Sequence, residues 1–110
     1  MNGALELTPR EAKAKLEAGT SVLIDVREPE EYAAARIDGA RLIPMQELPA
    51  EIQKLEGLAG EGELLLLCHH GVRSLQATQW LREQGLKNCY SVTGGIDRWS
   101  REIDSKIPRY

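Results

Sequence analysis

The sequence predicts an α/β fold, in which a parallel or mostly parallel sheet is covered by helices on both sides. Strand-like apolar runs alternate with segments of helical periodicity along the 110 residues, in about four or five units. Residues 64–67 form an unbroken apolar run, which is typical of a strand buried on both faces. From Leu75 the apolar positions follow helical spacing. A polar loop that opens at Cys68 joins this strand to this helix.

The first half of the chain carries clear signals for the starts and ends of helices. Thr8 and Glu11 form a capping-box pattern with Pro9 between them, and Gly19 ends the helix that they begin. Proline and acidic residues at 28–32 indicate the start of another helix. Strands are expected at residues 4–7, 21–26 and 41–44, a helix through residues 12–18, and an amphipathic helix at 47–55.

The second half is predicted to repeat the same alternation. Three glycines at residues 57–62 predict a loop before the central strand, and Gly85 ends the helix that follows it. The remaining elements are expected to be a strand at residues 88–92, a turn at 93–95, a helix at 96–103 and an irregular tail at 104–110.

Composition and charge limit the classes of function. A chain of 110 residues predicts a single domain over residues 1–110, with its core from about residue 5 to residue 103. The net charge of −3, with scattered Lys and Arg, gives no indication of nucleic-acid binding. No apolar run approaches the roughly 20 residues that cross a bilayer, so no membrane partner is expected. The first residues lack the segments of a signal peptide, and we therefore expect a cytoplasmic protein.

The loop after the central strand is the candidate site. Cys68 is predicted to lie at the carboxyl edge of a strand and to face the amino end of a helix, a position that favours a thiolate. Gly71 permits a backbone conformation that turns amides inward, so the loop can form an anion-binding nest. Arg73 adds positive charge, and we expect an accessible thiolate. The residues that follow Cys68 are His69, His70, Gly71, Val72, Arg73 and Ser74.

The histidines and the second cysteine have simpler interpretations. His69 and His70 lack a further ligand cluster, and adjacent residues rarely converge on one ion, so no metal is expected. One of them could act as a general base, but a role in shaping the rim of the site is preferred. Cys89 is interpreted as a small buried hydrophobe rather than a disulfide partner.

Three motifs together resemble one family. Residues 68–74 read Cys-x-x-Gly-x-Arg-Ser, which resembles the active-site signature of single-domain rhodaneses, the sulfurtransferase family. Residues 23–44 resemble the amino-terminal block of that family, and Gly-Gly-x-x-x-Trp at residues 94–99 resembles its closing motif. The motifs lie in the expected order and cover most of the chain.

The resemblance implies a fold and a chemistry. It implies a rhodanese-like sheet of five mostly parallel strands and a sulfurtransferase in which Cys68 carries sulfur as a persulfide, with no cofactor. By the same resemblance, the amides of residues 69–74 are expected to hold the persulfide or the donor anion. Asp25 matches an acid that the family has near its site, and Arg27 is expected to pair with an acid of the next helix, such as Glu31. A structural ion pair is at least as good an interpretation of Asp25 and Arg27 as substrate contact.

The resemblance also bears on partners. Small sulfur donors and acceptors are expected. His69 and His70 stand where thiosulfate-using relatives carry basic residues, which favours slow thiosulfate turnover or a protein persulfide as donor. Residues 99–110 resemble rhodanese domains fused to enzymes that activate sulfur-carrier proteins, which hints at a sulfur-carrier or persulfide-bearing partner. The oligomeric state is left open.

Two other functions compete with sulfur transfer. A non-catalytic binding module is disfavoured because Cys68 is present. A phosphatase or arsenate reductase would use a Cys-x5-Arg loop, whereas four residues separate Cys68 from Arg73 here. A smaller ring suits a sulfur atom better than a tetrahedral oxyanion.

Overall fold

The computed structural model describes residues 5–110 and has one five-stranded sheet in the order β1-β5-β4-β2-β3, in which every neighbouring pair is parallel. The strands are β1 (Glu6–Leu7), β2 (Ser21–Asp25), β3 (Arg41–Leu42), β4 (Glu63–Leu67) and β5 (Cys89–Val92). The helices are α1 (Pro9–Glu17), α2 (Pro29–Ala34), α3 (Ile52–Glu61), α4 (Val72–Glu83) and α5 (Gly95–Glu102), with a 3-10 helix at Met45–Glu51 before α3. The predicted fold class is confirmed.

Strand β4 lies at the centre of the sheet and is buried on both faces, as its apolar run predicts. Leu64 and Leu66 pack in a cluster under α3 and α4, and Leu65 and Leu67 pack in a second cluster with residues of α1 and α5. All four leucines are fully buried. Complete burial of one leucine stabilises the fold by about 1.5–3 kcal/mol, so this strand anchors both layers.

Local signals start the first helix where the sequence places it. Thr8 Oγ1 accepts a hydrogen bond from the Glu11 amide at 3.1 Å, and the Glu11 carboxylate accepts one from the Thr8 amide at 2.8 Å. This reciprocal pair satisfies two donors that the helix would otherwise leave free. The capping box is therefore confirmed, with Pro9 at the first helical position.

The predicted loop at residues 57–62 is wrong, because α3 continues through Gly57 and Gly60 to Glu61. Side chains of α3 pack against the core, and a β-carbon at Gly57 or Gly60 would meet nothing. Tertiary packing thus outweighs the roughly 1 kcal/mol that each helical glycine costs. Only Gly62 is sterically required among these three, since a side chain there would collide with the carbonyl of Thr20.

Several other elements begin or end at residues different from those predicted, and only the difference at α4 affects the candidate site. Strand β1 starts at Glu6 and β3 ends at Leu42, and Ala4, where the first strand was expected to begin, lies outside the described residues. Residues 45–51 form a 3-10 helix that contains Pro49, which cannot donate an α-helical hydrogen bond. Helix α4 begins at Val72, three residues before Leu75, so the last residues of the predicted loop are helical.

The tail at residues 104–110 forms neither helix nor strand, yet it packs on the domain. Ile107 is buried in the cluster with α1 and α5, and its carbonyl accepts a 2.6 Å hydrogen bond from Ser100 Oγ. This packing brings the last residue, Tyr110, to the site. Within residues 5–110, no helix combines the length and the apolarity needed to cross a membrane.

Candidate functional site

The site lies at the carboxyl edge of the sheet, where β4 passes into α4. Cys68 follows the last residue of β4 directly, and β4 lies between β2 and β5. Ligands of open parallel sheets gather at this edge. Gly71 has a φ of +101°, which a side chain would strain, and it turns the chain into the first turn of α4.

Two backbone amides point at the sulfur of Cys68. The amide of Gly71 donates to Sγ at 3.1 Å and the amide of Ser74 donates at 3.3 Å. The thiol in turn lies 3.3 Å from the Ser74 hydroxyl, which it can reach as a donor. Within residues 5–110, Gly71 and Ser74 are the amides that bond this sulfur. The six-residue nest expected to hold a persulfide or a donor anion stays a prediction.

The serine beside the thiol belongs to a buried polar pair that sequence reasoning missed. Ser74 Oγ and Ser91 Oγ lie 2.7 Å apart, and both serines are fully buried. Ser91 is a polar residue within the mostly buried strand β5. A serine within a buried strand is the sequence signal that could have indicated this pair, because a buried hydroxyl needs a hydrogen-bond partner.

The thiol is not accessible, contrary to expectation, because Cys68 is only 1% exposed. The start of α5 holds the loop against the domain: the amide of Ile96 donates to the Cys68 carbonyl at 2.8 Å, and the amide of Asp97 donates to the His69 carbonyl at 3.1 Å. A side chain at Gly95 would collide with these two carbonyls. The glycine motif at 94–99 therefore serves the close approach of two backbones.

Asp25 and Arg27 form a buried ion pair next to the site. Arg27 Nη2 lies 2.7 Å from the Asp25 carboxylate, and both side chains are fully buried. The expected pairing of Arg27 with the Glu31 carboxylate is wrong, since Arg27 reaches only the Glu31 backbone carbonyl, at 3.2 Å. Arg27 also donates to the Ala35 carbonyl and to Tyr110 Oη. These contacts favour the interpretation of a structural pair.

Arg73 is the residue that pairs with the Glu31 carboxylate. Its two terminal nitrogens lie 2.7 and 2.8 Å from the two carboxylate oxygens. The hydrogen bonds from Arg73 hold the pKa of Glu31 at about 2, and the same bonds raise the pKa of Arg73. The positive charge expected to act on the thiol is therefore balanced at 2.7 Å by a carboxylate.

Three aromatic rings form a stack beside the loop. The His69 ring lies 3.9 Å from the ring of His70 and 3.9 Å from that of Tyr110, measured between centroids. Burial, followed by the neighbouring His70, lowers the pKa of His69 below its ordinary value. Its Nε2 is buried and has no hydrogen-bond partner among residues 5–110. Among the described residues, neither His69 nor His70 forms a hydrogen bond with the Cys68 thiol. This favours a role in shaping the rim of the site over a role as general base.

Val72 and the second cysteine complete the predicted residues. Val72 is 67% exposed and lies at the first position of α4, beside the site. Cys89 lies in the core, is not in a disulfide, and burial raises its pKa to about 11. The described residues contain no cluster of three His, Cys, Asp or Glu side chains placed to hold a metal ion.

Similar curated proteins cover the chain but are much longer. The chain is 38% identical over 89 residues to rhodanese-like/PpiC domain-containing protein 12, chloroplastic, of Arabidopsis thaliana. The matched segment is 80% of this chain and 30% of that protein. It is 35% identical over 109 residues to the adenylyltransferase and sulfurtransferase MOCS3-2 of Zea mays, covering 94% of this chain and 23% of that protein. The chain thus spans less than a third of the length of these relatives.

Similar solved structures include single-domain proteins of the same size. Human single-domain sulfurtransferase TSTD1 matches with 30% identity and a TM-score of 0.78, over 88% of this chain and 96% of that one. A rhodanese-related protein from Thermoplasma volcanium matches with 29% identity and a TM-score of 0.76, over 90% and 93%. Thiosulfate sulfurtransferase from Pseudomonas aeruginosa matches with 26% identity and a TM-score of 0.79, over 88% and 19%.

Three of these similar proteins, from human, Pseudomonas aeruginosa and Zea mays, are named as sulfurtransferases. A family model described as a rhodanese-like domain matches residues 8–102, which is most of the chain. The chain therefore belongs to the rhodanese-like domain family.

Proposed function

We propose that this chain moves sulfane sulfur from a donor such as thiosulfate or a persulfide to a thiophilic acceptor such as cyanide, a thiol or a protein, through a persulfide on Cys68. The observation that carries the proposal is the pair of amides, from Gly71 and Ser74, aimed at the sulfur of Cys68. Such donors stabilise a negative charge without moving during the reaction.

The first half of the reaction loads the enzyme. The Cys68 thiolate attacks the outer sulfur of thiosulfate, a sulfur–sulfur bond forms on Cys68, and sulfite leaves with the electrons of the broken bond. With a persulfide donor the leaving group is the corresponding thiolate. Ser74 and Gly71 stabilise the thiolate before the attack, and we expect their amides to bind the persulfide afterwards.

The second half unloads it. An acceptor nucleophile attacks the outer sulfur of the persulfide, takes that sulfur, and leaves the Cys68 thiolate as it was. Cyanide becomes thiocyanate, and a thiol becomes a persulfide. Because Cys68 is almost fully buried, we expect the loop to open when donor and acceptor enter.

Persulfide loading tests this proposal. The wild-type protein, incubated with thiosulfate or with cysteine persulfide, should gain the mass of one sulfur atom, and cyanide should remove it. Cys68→Ala should gain none from either donor, whereas Cys89→Ala should load like the wild type. If the wild type gains no sulfur from any donor, or if Cys68→Ala loads normally, the proposal is wrong.

A non-catalytic binding module is the competing proposal, because the thiol is 1% exposed. Absence of loading in the test above would favour it. Phosphate ester hydrolysis has weaker support, because the guanidinium that would hold the phosphate is paired with Glu31. Chromogenic phosphate esters should therefore not be hydrolysed above the background rate. The cytoplasmic location and the protein partner expected from the sequence stay predictions, which cell fractionation and affinity capture with Cys68→Ser can test.

A further inference from the structure

Both arginines beside the site are already neutralised by carboxylates. Arg27 is held by Asp25, and the pair is fully buried. Arg73, in the first turn of α4, is held by both oxygens of Glu31. An arginine whose guanidinium already donates two hydrogen bonds to a carboxylate is not available to bind another anion in the same bidentate way.

Glu31 is itself fixed in place. Besides its two bonds to Arg73, it accepts a 3.0 Å hydrogen bond from the Glu28 amide and a 2.8 Å bond from Tyr110 Oη. The phenol of Tyr110 also accepts from Arg27 at 2.8 Å, so it links the two ion pairs. Four hydrogen bonds to one carboxylate make its displacement by a small anion unfavourable.

The location of this pair gives it influence over the thiol. Arg73 is one residue before Ser74, whose amide bonds the sulfur of Cys68. Cys68 also contributes to raising the pKa of Arg73, after the larger effect of Glu31, so the two side chains lie within electrostatic range. Burial also lowers the pKa of the adjacent His69, which favours its uncharged form.

We propose that Glu31 is a specificity-determining residue, which holds Arg73 and so biases the site against small dianionic sulfur donors. Donors whose sulfane sulfur is attached to a less charged group, such as a thiol persulfide, would then be favoured over thiosulfate. This inference rests on the proposed sulfur transfer and assigns its donor class. Glu31 acts through Arg73 and the local charge, and no contact with the donor is required.

The test compares two donors on matched variants. Rate constants for loading Cys68 with sulfur are measured by intact mass, with thiosulfate and with cysteine persulfide. Glu31→Gln should raise the rate constant for thiosulfate by about fivefold, since one carboxylate charge beside the guanidinium is removed. The rate constant for cysteine persulfide should change by less than about twofold, because that donor carries less negative charge and interacts more weakly with the guanidinium.

Two controls isolate the Arg73 pair. Glu30→Gln removes the same charge from a neighbouring exposed residue of α2 and should leave thiosulfate loading within about twofold of the wild type. The double variant Glu31→Gln/Arg73→Gln should lose the gain, because the gain requires a freed guanidinium. An equal gain in Glu30→Gln, or a gain that persists without Arg73, would overturn the inference.

Salt dependence of the wild type gives a test that needs no substitution. If Glu31 neutralises Arg73, the rate of loading from thiosulfate should stay level or rise with salt concentration. An unpaired arginine would attract the dianion, and salt would then lower the rate by screening that attraction. A steep fall with salt in the wild type would contradict the inference. A wild type that never loads contradicts the proposed function instead, so the two failures are distinguishable.

Discussion

The two cysteines of this chain differ in their hydrogen bonds, while their exposure is nearly the same. Cys68 is 1% exposed and Cys89 is 0% exposed, and they lie on adjacent strands or strand ends of one sheet. The sulfur of Cys68 accepts hydrogen bonds from two backbone amides. At Cys89, burial is the main influence on the thiol and raises its pKa to about 11. Exposure therefore does not distinguish the two thiols, whereas the polar groups around each sulfur do.

The largest expected effect comes from displacing one of those amides. Gly71→Ala would strain a residue whose φ is +101°, and its side chain would press on the Gly94 amide at 3.1 Å. The Gly71 amide would then leave the Cys68 sulfur, and we expect Cys68 to load about 100-fold more slowly, as when an oxyanion-hole donor is lost. Intact-mass kinetics with thiosulfate or cysteine persulfide measure this.

Gly85→Ala is the matched control for that prediction. Gly85 has a similar φ of +98°, but a side chain there meets nothing within 4 Å. Both variants should lose about 1–2 kcal/mol of stability through backbone strain, measured by chemical denaturation. Gly85→Ala should load at the wild-type rate. Equal slowing in both variants would mean that stability, and not the amide, explains the effect.

A smaller effect is expected from the serine hydroxyl. Ser74→Ala keeps the amide on Cys68 but removes the hydroxyl that lies 3.3 Å from the sulfur and 2.7 Å from Ser91 Oγ. We expect loading to slow by about tenfold or less, since a single neutral hydrogen bond is worth about 0.5–1.5 kcal/mol. Ser91→Ala should slow loading less, because its hydroxyl reaches Cys68 only through Ser74. The reverse order would contradict this arrangement.

The smallest effect concerns Cys89 and pH. Burial raises its pKa to about 11 from an ordinary value of 9.0, so the unfolded chain releases this proton first as pH rises. The stability that Cys89 contributes is therefore complete below pH 9 and is lost as pH rises towards 11, by about 2 kcal/mol. Denaturation of the wild type and of Cys89→Ala across this range measures it. An unchanged pH slope in Cys89→Ala would show that other groups cause the loss.

The sequence predicts well what depends on local pattern. The run at residues 64–67 locates the buried central strand, and Thr8 with Glu11 locates the start of α1. Cys68 and its glycine were found because a polar loop follows an apolar strand, and the family motifs agreed with that assignment. Periodicity and capping chemistry act over a few residues, so one sequence carries them in full.

What the sequence misses depends on contacts between distant residues. Glu31 and Arg73 are 42 residues apart, and Tyr110 is 79 residues from Glu31, so no spacing rule links them. The burial of Cys68 depends on α5 packing its amino end onto the loop, which composition does not reveal. The helix through Gly57 was missed for the same reason, because tertiary packing overrides local propensity there.

The most direct test of the account lets the two cysteines compete within one molecule. Wild-type protein is loaded from cysteine persulfide, digested after unreacted thiols are blocked, and the extra sulfur is located by peptide mass spectrometry. The account predicts the added sulfur on the peptide that contains Cys68, with Cys89 recovered as an unmodified thiol. Sulfur carried on Cys89, or shared equally between the two peptides, would contradict it.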